Sequence, residues 1–593
     1  MIKLISLVLA FIVVVSEANE QQKVFANHDN EQQKVFAGVE KNDWISQGAN
    51  LHNNRNILDG LVTDGLSLSS PSFIFDVGHL TSISATPAVN SRIVIFPSAD
   101  GNIQCYQNGV NNTLLWKRNI NSDYYASSIT GHIPYSRTTP VFYKEDKIIV
   151  GIQGPADILV LDLQSGNLLW KINLDSLPVA IITQSGQLYG DVFYVGTSSN
   201  EEAAAENPAY PCCSFYSGFF AIDLIKQNIK WSYHPIPRNL VGVGKWAGAS
   251  VWGSTPPIDV STNTIFIATG NVYTTPPDYV ACVNSTVSSE IETKCNKGLY
   301  PDVYFDSIIA LDLNTGAQKA ARRFWGYDAW TVPCVYGGKN CPVIPGPDFD
   351  FGMAPVLDYI PICSCGNVPS DFSISGVTGI CSPSVGKYSK TICPFFSARK
   401  AVLYIGQKSG IAWAVLASDL STIWANQASP AGPLGGSNWG SALDETQYYI
   451  GTANYHGDPW TLTNGSTTTG GGWIAIDKFS GETVWTTANP AAYDNSGNGR
   501  SKTAYGLGPP TSVRGAILVG STDSAKQEYG VGGYVYSLSK KDGSILSSYQ
   551  TGASVYGGFS IQGECAYVGS GYYLHGLPFT LGRAAYGFCM KHE

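Results

Sequence analysis

One frame recurs along the chain: an aspartate, a glycine four residues later and a tryptophan four residues after that. It stands at Asp162, Gly166 and Trp170 and again at Asp477, Gly481 and Trp485, while Asp223 with Trp231 keeps the interval without the glycine. Degenerate copies have Asp312 and Gly316 with Ala320 in the tryptophan place, and Gly543 with Ser547; others end at Trp116 and Trp424. Counting back to Phe73 gives eight positions: 73, 116, 170, 231, 320, 424, 485 and 547. In such a frame aspartate opens a hairpin turn, glycine completes it, and the indole on the next strand wedges between neighbouring sheets. One small sheet cannot bury both of its faces, so the copies must stack radially. The frame therefore predicts an all-β chain, an eight-bladed β-propeller filling 43–593 as one domain. The plainer alternative, an array of β-sandwiches, does not account for three copies sharing one Asp-to-Trp interval.

Composition agrees with many short strands and tight turns. The 593 residues include 63 Gly and 32 Pro, with 12% aromatic and 14% charged side chains. A coiled coil is excluded, and at 44% hydrophobic the chain is too apolar for disorder. The net charge of −9 leaves no basic surplus for phosphates, which argues against a nucleic-acid partner.

The first line of sequence predicts export. Lys3 precedes an apolar run, Leu4 to Val15, and Ser16-Glu17-Ala18 offers a small-x-small cleavage site. Residues 1–18 are expected to be a signal peptide and 19–42 a flexible polar leader carrying a short duplication. No later stretch is long and apolar enough for an integral membrane segment, so a secreted or extracytoplasmic location is expected. Thirteen cysteines then imply disulfides with one thiol left over, and Cys105, in a strand-like run, could be that thiol. Most of the others fall in the long insertions, where loops without regular structure need staples. Asn111, Asn284 and Asn464 head glycosylation sequons.

The repeat frame resembles the Trp-docking repeat of quinoprotein alcohol dehydrogenases, eight-bladed propellers that bind pyrroloquinoline quinone (PQQ). The segments Tyr210–Phe215 and Pro347–Gly352 are similar to the polyvinyl-alcohol dehydrogenase branch. The resemblance implies an alcohol dehydrogenase that uses PQQ and Ca²⁺ on a small-molecule or polymeric alcohol. A planar tricarboxylated quinone needs flat surfaces, groups for its carboxylates and a Lewis acid. Trp252 falls where the family stacks an indole, and Asn438-Trp439 resembles its ring-donating pair. Arg137 and Thr183 match positions near the cofactor carboxylates, and Lys408 matches a cation near the quinone oxygens. Gly196–Glu201 matches Gly-x-Ser-x-x-Glu, which implies Ser198 at the cofactor and Glu201 on Ca²⁺. Asn271, in Gly270-Asn271, would supply an amide oxygen to the same ion, the hard-oxygen chemistry Ca²⁺ prefers.

Two departures bear on the chemistry. The vicinal cysteines that many members carry before the equivalent of Arg137 are Gly131 and His132 here. A vicinal pair appears one blade later, Cys212-Cys213, either as a ring lining the pocket or as two ordinary staples. The family's catalytic aspartate follows a tryptophan, and here that place is Thr331. Asp328 is ranked first as base and as an extra metal ligand, with Asp348 and Asp350 as rivals; Glu202 and Glu206 stand behind Glu201 should the acidic run shift register. No CxxCH haem site occurs, so electrons would pass to a separate acceptor. The alternative to an enzyme is a propeller acting as a non-catalytic binding or scaffold module.

Overall fold

The computed structural model describes residues 44, 46–57, 66–109, 112–125, 134–363, 396–490, 504–522, 532–572 and 579–590. The expected signal peptide and leader, Asn111, Gly131, His132, Cys365, Cys381 and Cys393 lie outside these residues. Eight four-stranded antiparallel sheets follow one another along the chain. Blades 1 to 7 occupy 88–119, 141–175, 187–233, 258–323, 356–427, 442–488 and 511–550. Blade 8 takes three strands from 560–589 and closes the ring with the N-terminal strand Phe73–Thr81 as its outermost member. All eight positions counted from the repeat frame fall on outermost strands.

The frame works between blades. Trp116 of blade 1 donates its indole N–H to Leu163 O in the turn of blade 2, at 3.0 Å. Trp231, Trp424 and Trp485 do the same to Leu313, Lys478 and Lys540 of the blades that follow them. The glycine of each receiving turn lies flat under the indole. A Cβ on Gly166 would sit 2.6 Å from the Trp116 ring, and its φ of +69° is the left-handed turn position. Trp170 packs beside Leu224, whose turn has Gln227 at φ +57° in the glycine place, and it stays only half-buried.

Strand order fixes the two faces of the disc. Turns between the third and fourth strands, with their docked indoles, lie on one face. Loops between second and third strands, and those leading into each next blade, lie on the other. The long insertions 275–306 and 324–355 are therefore on the second face. They carry the disulfides Cys282–Cys295 and Cys334–Cys341; Cys565–Cys589 ties strands of blade 8, and Cys212–Cys213 is vicinal. Cys105 is buried and unpaired among the described cysteines. Asn284 and Asn464 are exposed. Among the described residues no helix is long and apolar enough to cross a membrane.

Candidate active site

The second face brings together at the axis the segments that leave second strands and those that lead into first strands. Trp252-Gly253, Gly352 and Asn438-Trp439 meet there. Trp439 N–H donates to Gly352 O at 3.0 Å, and Gly352 pairs with Asn438 in a parallel bridge. A side chain at Gly352 would collide with Asn438 Oδ1, and one at Gly270 would come within 2.6 Å of Asp350 and 3.0 Å of the Trp252 indole nitrogen. Glycine at these positions lets the two tryptophans and two carboxamide or carboxylate groups approach closely. Trp252 is half-buried and meets Trp439 edge-on, ring centroids 4.9 Å apart.

Lys408 is the cation of this site. Its Nζ lies 2.9 Å from Asp348 Oδ1 and 2.9 Å from Asp350 Oδ2, and 5.4 Å from the centre of the Trp252 ring. Burial by itself would lower the Lys408 ammonium, but the two aspartates and Glu202 outweigh it and hold it above the ordinary lysine range. Asp350 Oδ1 also accepts from the Asn271 backbone N–H. Asn438 donates to Leu434 O at 2.7 Å, and its Oδ1 is buried with no hydrogen-bond partner among the described residues.

Glu202, Asp306 and Asp328 add three further acidic groups to the cluster that contains Asp348 and Asp350. Burial and then Asp350 push the Glu202 carboxyl up to about 8, with the Asn271 side chain within reach of it. Burial drives Asp348 well above the usual range against the pull of Lys408. Asp306, held at φ +44°, is likewise raised by burial and by Asp328, the one group in hydrogen-bonding reach of its otherwise unpartnered carboxyl. Asp328 is raised to about 7, chiefly by burial.

Two residues expected at the metal are engaged elsewhere. Glu201 is fully buried and accepts from Ser214 N–H at 2.8 Å, Phe215 N–H at 2.7 Å and Tyr210 Oη at 3.0 Å. It anchors the turn that follows Cys212–Cys213. The cause is the single helical turn Glu201–Ala204, in which successive side chains diverge by about 100°, so Glu202 is the one aimed at Asn271 and Lys408. Asp328 accepts from Asp348 N–H at 2.9 Å and Phe349 N–H at 2.5 Å, and so braces the loop that carries Asp348 and Asp350. The carboxylates at the cation are those two, ranked behind Asp328 in the sequence. Thr331 is buried and donates to Asn340 O.

The remaining expected residues flank the centre. The Arg137 guanidinium stacks 4.0 Å from the Trp439 ring centre and donates to Tyr572 Oη at 3.2 Å; its Nη2 is buried with no hydrogen-bond partner among the described residues. Thr183 is buried with an unpartnered Oγ1, and both residues line one small cavity with Trp439. Ser198 is buried in a two-residue bridge to Ile181. Cys213 is buried in the core between blades 2 and 3, with Cys212 partly buried beside it. Among the described residues, no hydrogen bond or ion pair joins Ser198 or the vicinal disulfide to Lys408 or Trp252. The sequence did not single out Asp306, and offered Glu202 only behind Glu201. Neither sits in a distinctive motif, although the Glu201-Glu202 doublet marks a place where one turn can aim either carboxyl.

Comparison with other proteins places this geometry. No family model matches the chain. A polyvinylalcohol dehydrogenase from Pseudomonas sp. is 25% identical over 439 residues, covering 70% of this chain and 56% of that protein. In sequence, the chain is similar to polyvinyl alcohol dehydrogenases. A second such enzyme, from Sphingopyxis sp., is 26% identical over 441 residues with the same coverage. The chain thus spans little more than half the length of the curated relatives it matches. The quinohemoprotein alcohol dehydrogenase of Comamonas testosteroni superposes with a TM-score of 0.60 at 13% identity, covering 94% of this chain and 82% of that one. A europium-containing methanol dehydrogenase does so with a TM-score of 0.60 at 14% identity, covering 95% of this chain and all of the other. These likenesses carry the eight-bladed fold, and the polyvinyl-alcohol-like resemblance holds along 70% of the sequence.

Proposed function

We propose that the chain is a PQQ-dependent alcohol dehydrogenase, with its cofactor seated at the axis between Trp252, Trp439, Lys408 and Arg137. The observation that carries this reading is Lys408, buried against an indole and paired with two aspartates at the mouth of the propeller. A buried ion cluster of this kind is costly to fold and is characteristic of sites that perform chemistry.

Several buried groups suit a planar anionic quinone. Arg137 Nη2, Thr183 Oγ1 and Asn438 Oδ1 are all buried and unpartnered among the described residues, two as donors for carboxylates and one as an acceptor for a ring N–H. Bound PQQ would supply the electrophilic carbonyl that accepts hydride. The oxygen-only set of Glu202, Asn271 and Asp350 suits Ca²⁺, and a bound cation would favour the ionised form of these carboxyls. Among the described residues, no three acidic, histidine or cysteine side chains already converge on one point to coordinate an ion. Glu202, Asn271 and Asp350 would hold the ion, which would supply Lewis-acid polarisation of the quinone carbonyl.

The chain's own part is positioning and proton transfer. Trp252 fixes the plane of the ring. Asp350 accepts the alcohol's hydroxyl proton, because it is the carboxylate abutting Trp252, with Oδ1 held by the Asn271 amide and Oδ2 on Lys408. Asp328 and Glu201 keep the two loops in place. Electrons leave to a separate acceptor, and the disulfides support an oxidising compartment outside the cytoplasm. A polymeric or secondary alcohol is the substrate class the relatives favour.

The test is alcohol-dependent dye reduction by purified protein with PQQ and Ca²⁺ added singly and together. Turnover that needs both, and that fails in Asp350→Asn, supports the proposal. Absence of turnover with every alcohol tried, polymer included, counts against it.

A further inference from the structure

The segment Trp44–Ile57 runs through the ring rather than around it. Carbonyls of Leu51, His52 and Asn54 accept from Ile258, Leu357 and Leu443, on the innermost strands of blades 4, 5 and 6, at 2.8–2.9 Å. Arg55 O accepts from Ser512 of blade 7, and Trp44 N–H donates to Val89 of blade 1. Arg55 is fully buried with no carboxylate against it. Its guanidinium donates to Pro510 O at 2.8 Å, to Thr511 Oγ1 and Phe559 O at 2.7 Å, and to Gln47 O. The segment is thus keyed to blades 7 and 8, and this fixes Gln47 in one place.

Gln47 is 8% exposed and lines the same small cavity as Arg137, Thr139, Thr183, Ser185 and Trp439. Its Nε2 donates to Trp439 O at 3.2 Å, and its Oε1 is buried with no partner among the described residues. Thr139 Oγ1, Thr183 Oγ1 and Arg137 Nη2 are in the same condition. Four unsatisfied polar atoms around one cavity, each costly to bury, indicate a ligand that supplies the missing partners. Three of them are able to donate to oxyanions, and the fourth accepts from an N–H or protonated group.

We propose that Thr139 contacts the carboxylate seated in this cavity, and that Gln47 is a positioning residue holding the Trp439 backbone and hence the Arg137–Trp439 stack. The proposal rests on the quinone reading above, since PQQ is the ligand expected there. It adds the axial segment and Thr139 to a site otherwise built from blade loops. Gln47→Glu introduces a carboxylate beside the ligand's own, whereas Gln47→Leu removes both hydrogen-bonding functions.

The experiment is calorimetric titration of the full chain with PQQ plus Ca²⁺ and, separately, with trimesate, an aromatic tricarboxylate that cannot be reduced. Wild type, Gln47→Leu, Gln47→Glu and Thr139→Val are compared, with the melting temperature of each apo protein. The expected result is a loss of affinity of about tenfold for Gln47→Leu and Thr139→Val, and a larger loss for Gln47→Glu, toward both ligands. Lowered melting temperatures with unchanged affinities would show that Gln47 only stabilises the ring, and would overturn the proposal. Trimesate binding that is weakened by these variants, without PQQ binding, keeps the seat and refutes the quinone reading. Binding of neither ligand by wild type overturns the seat itself.

Discussion

Lys408 Nζ lies 2.9 Å from Asp350 Oδ2, with both side chains less than a tenth exposed. Buried pairs of this type are poor stabilisers but damaging to break, because the survivor keeps its desolvation cost. Lys408→Met is therefore expected to destabilise the apo protein by about 3–5 kcal/mol, the range for breaking a buried pair. Lys408→Met combined with Asp348→Asn and Asp350→Asn should recover much of that loss. Chemical denaturation measures both, and equal stability of the single and triple variants would contradict the pairing.

The adjacent glutamates separate in function. Glu201→Gln should lower stability by about 1.5–3 kcal/mol, since it weakens charge-assisted bonds to two backbone amides, while Ca²⁺ affinity in the presence of PQQ stays within a few-fold of wild type. Glu202→Gln should do the reverse: an unchanged or raised melting temperature and a clear loss of Ca²⁺ affinity. Paired thermal and calorimetric measurements decide it. Loss of Ca²⁺ binding in Glu201→Gln alone would restore the register matched from the sequence.

The docking turns allow a controlled comparison. Gly166 and Gly190 both have positive φ, +69° and +59°, but a Cβ at Gly166 meets the Trp116 ring whereas one at Gly190 meets nothing within 4 Å. Gly190→Ala should cost only the left-handed backbone penalty, about 1–2 kcal/mol. Gly166→Ala should cost more, and Gly166→Ala with Trp116→Ala less than the sum of the two singles. Strict additivity would mean that the indole does not dock there.

Acid sensitivity has an identifiable contributor. Asp444 is buried, which by itself raises its carboxyl, yet Lys540 at 2.9 Å and the amides of Thr446 and Gln447 hold it below the ordinary value. A carboxyl depressed in the folded state stabilises above its unfolded pKa, near 4, and loses that contribution as pH falls through the lower folded value. Wild type should therefore lose stability below about pH 4 more steeply than Asp444→Asn, measured by urea unfolding. Parallel curves would remove Asp444 from the acid transition.

The blades were legible because the docking device is local: aspartate, glycine and tryptophan within nine residues carry both the turn and its contact to the next sheet. The degenerate copies at Ala320 and Ser547 remain in register because strand pairing, not the indole, sets their place. The loop residues Trp252, Lys408, Asn271 and Asn438-Trp439 were legible too, since each sits at a fixed distance from a strand. Glu201 and Asp328 were not, because a one-residue rotation in a single helical turn and a carboxylate turned onto two amides leave no trace in spacing. The vicinal cysteines showed where an unusual link lies, but not that Glu201 would anchor the turn after it. The axial segment carries no repeat or motif, and its role appears only when its carbonyls are traced to four different blades.

The central claim is that a quinone stacks on Trp252 at the axis. Calorimetric titration of wild type and Trp252→Ala with PQQ in the presence of Ca²⁺ tests it most directly. Saturable binding by wild type, weakened in the folded mutant by about 1–3 kcal/mol, the cost of losing comparable aromatic stacking, is the predicted result. Equal affinity in the two proteins, or no binding by wild type, would contradict it.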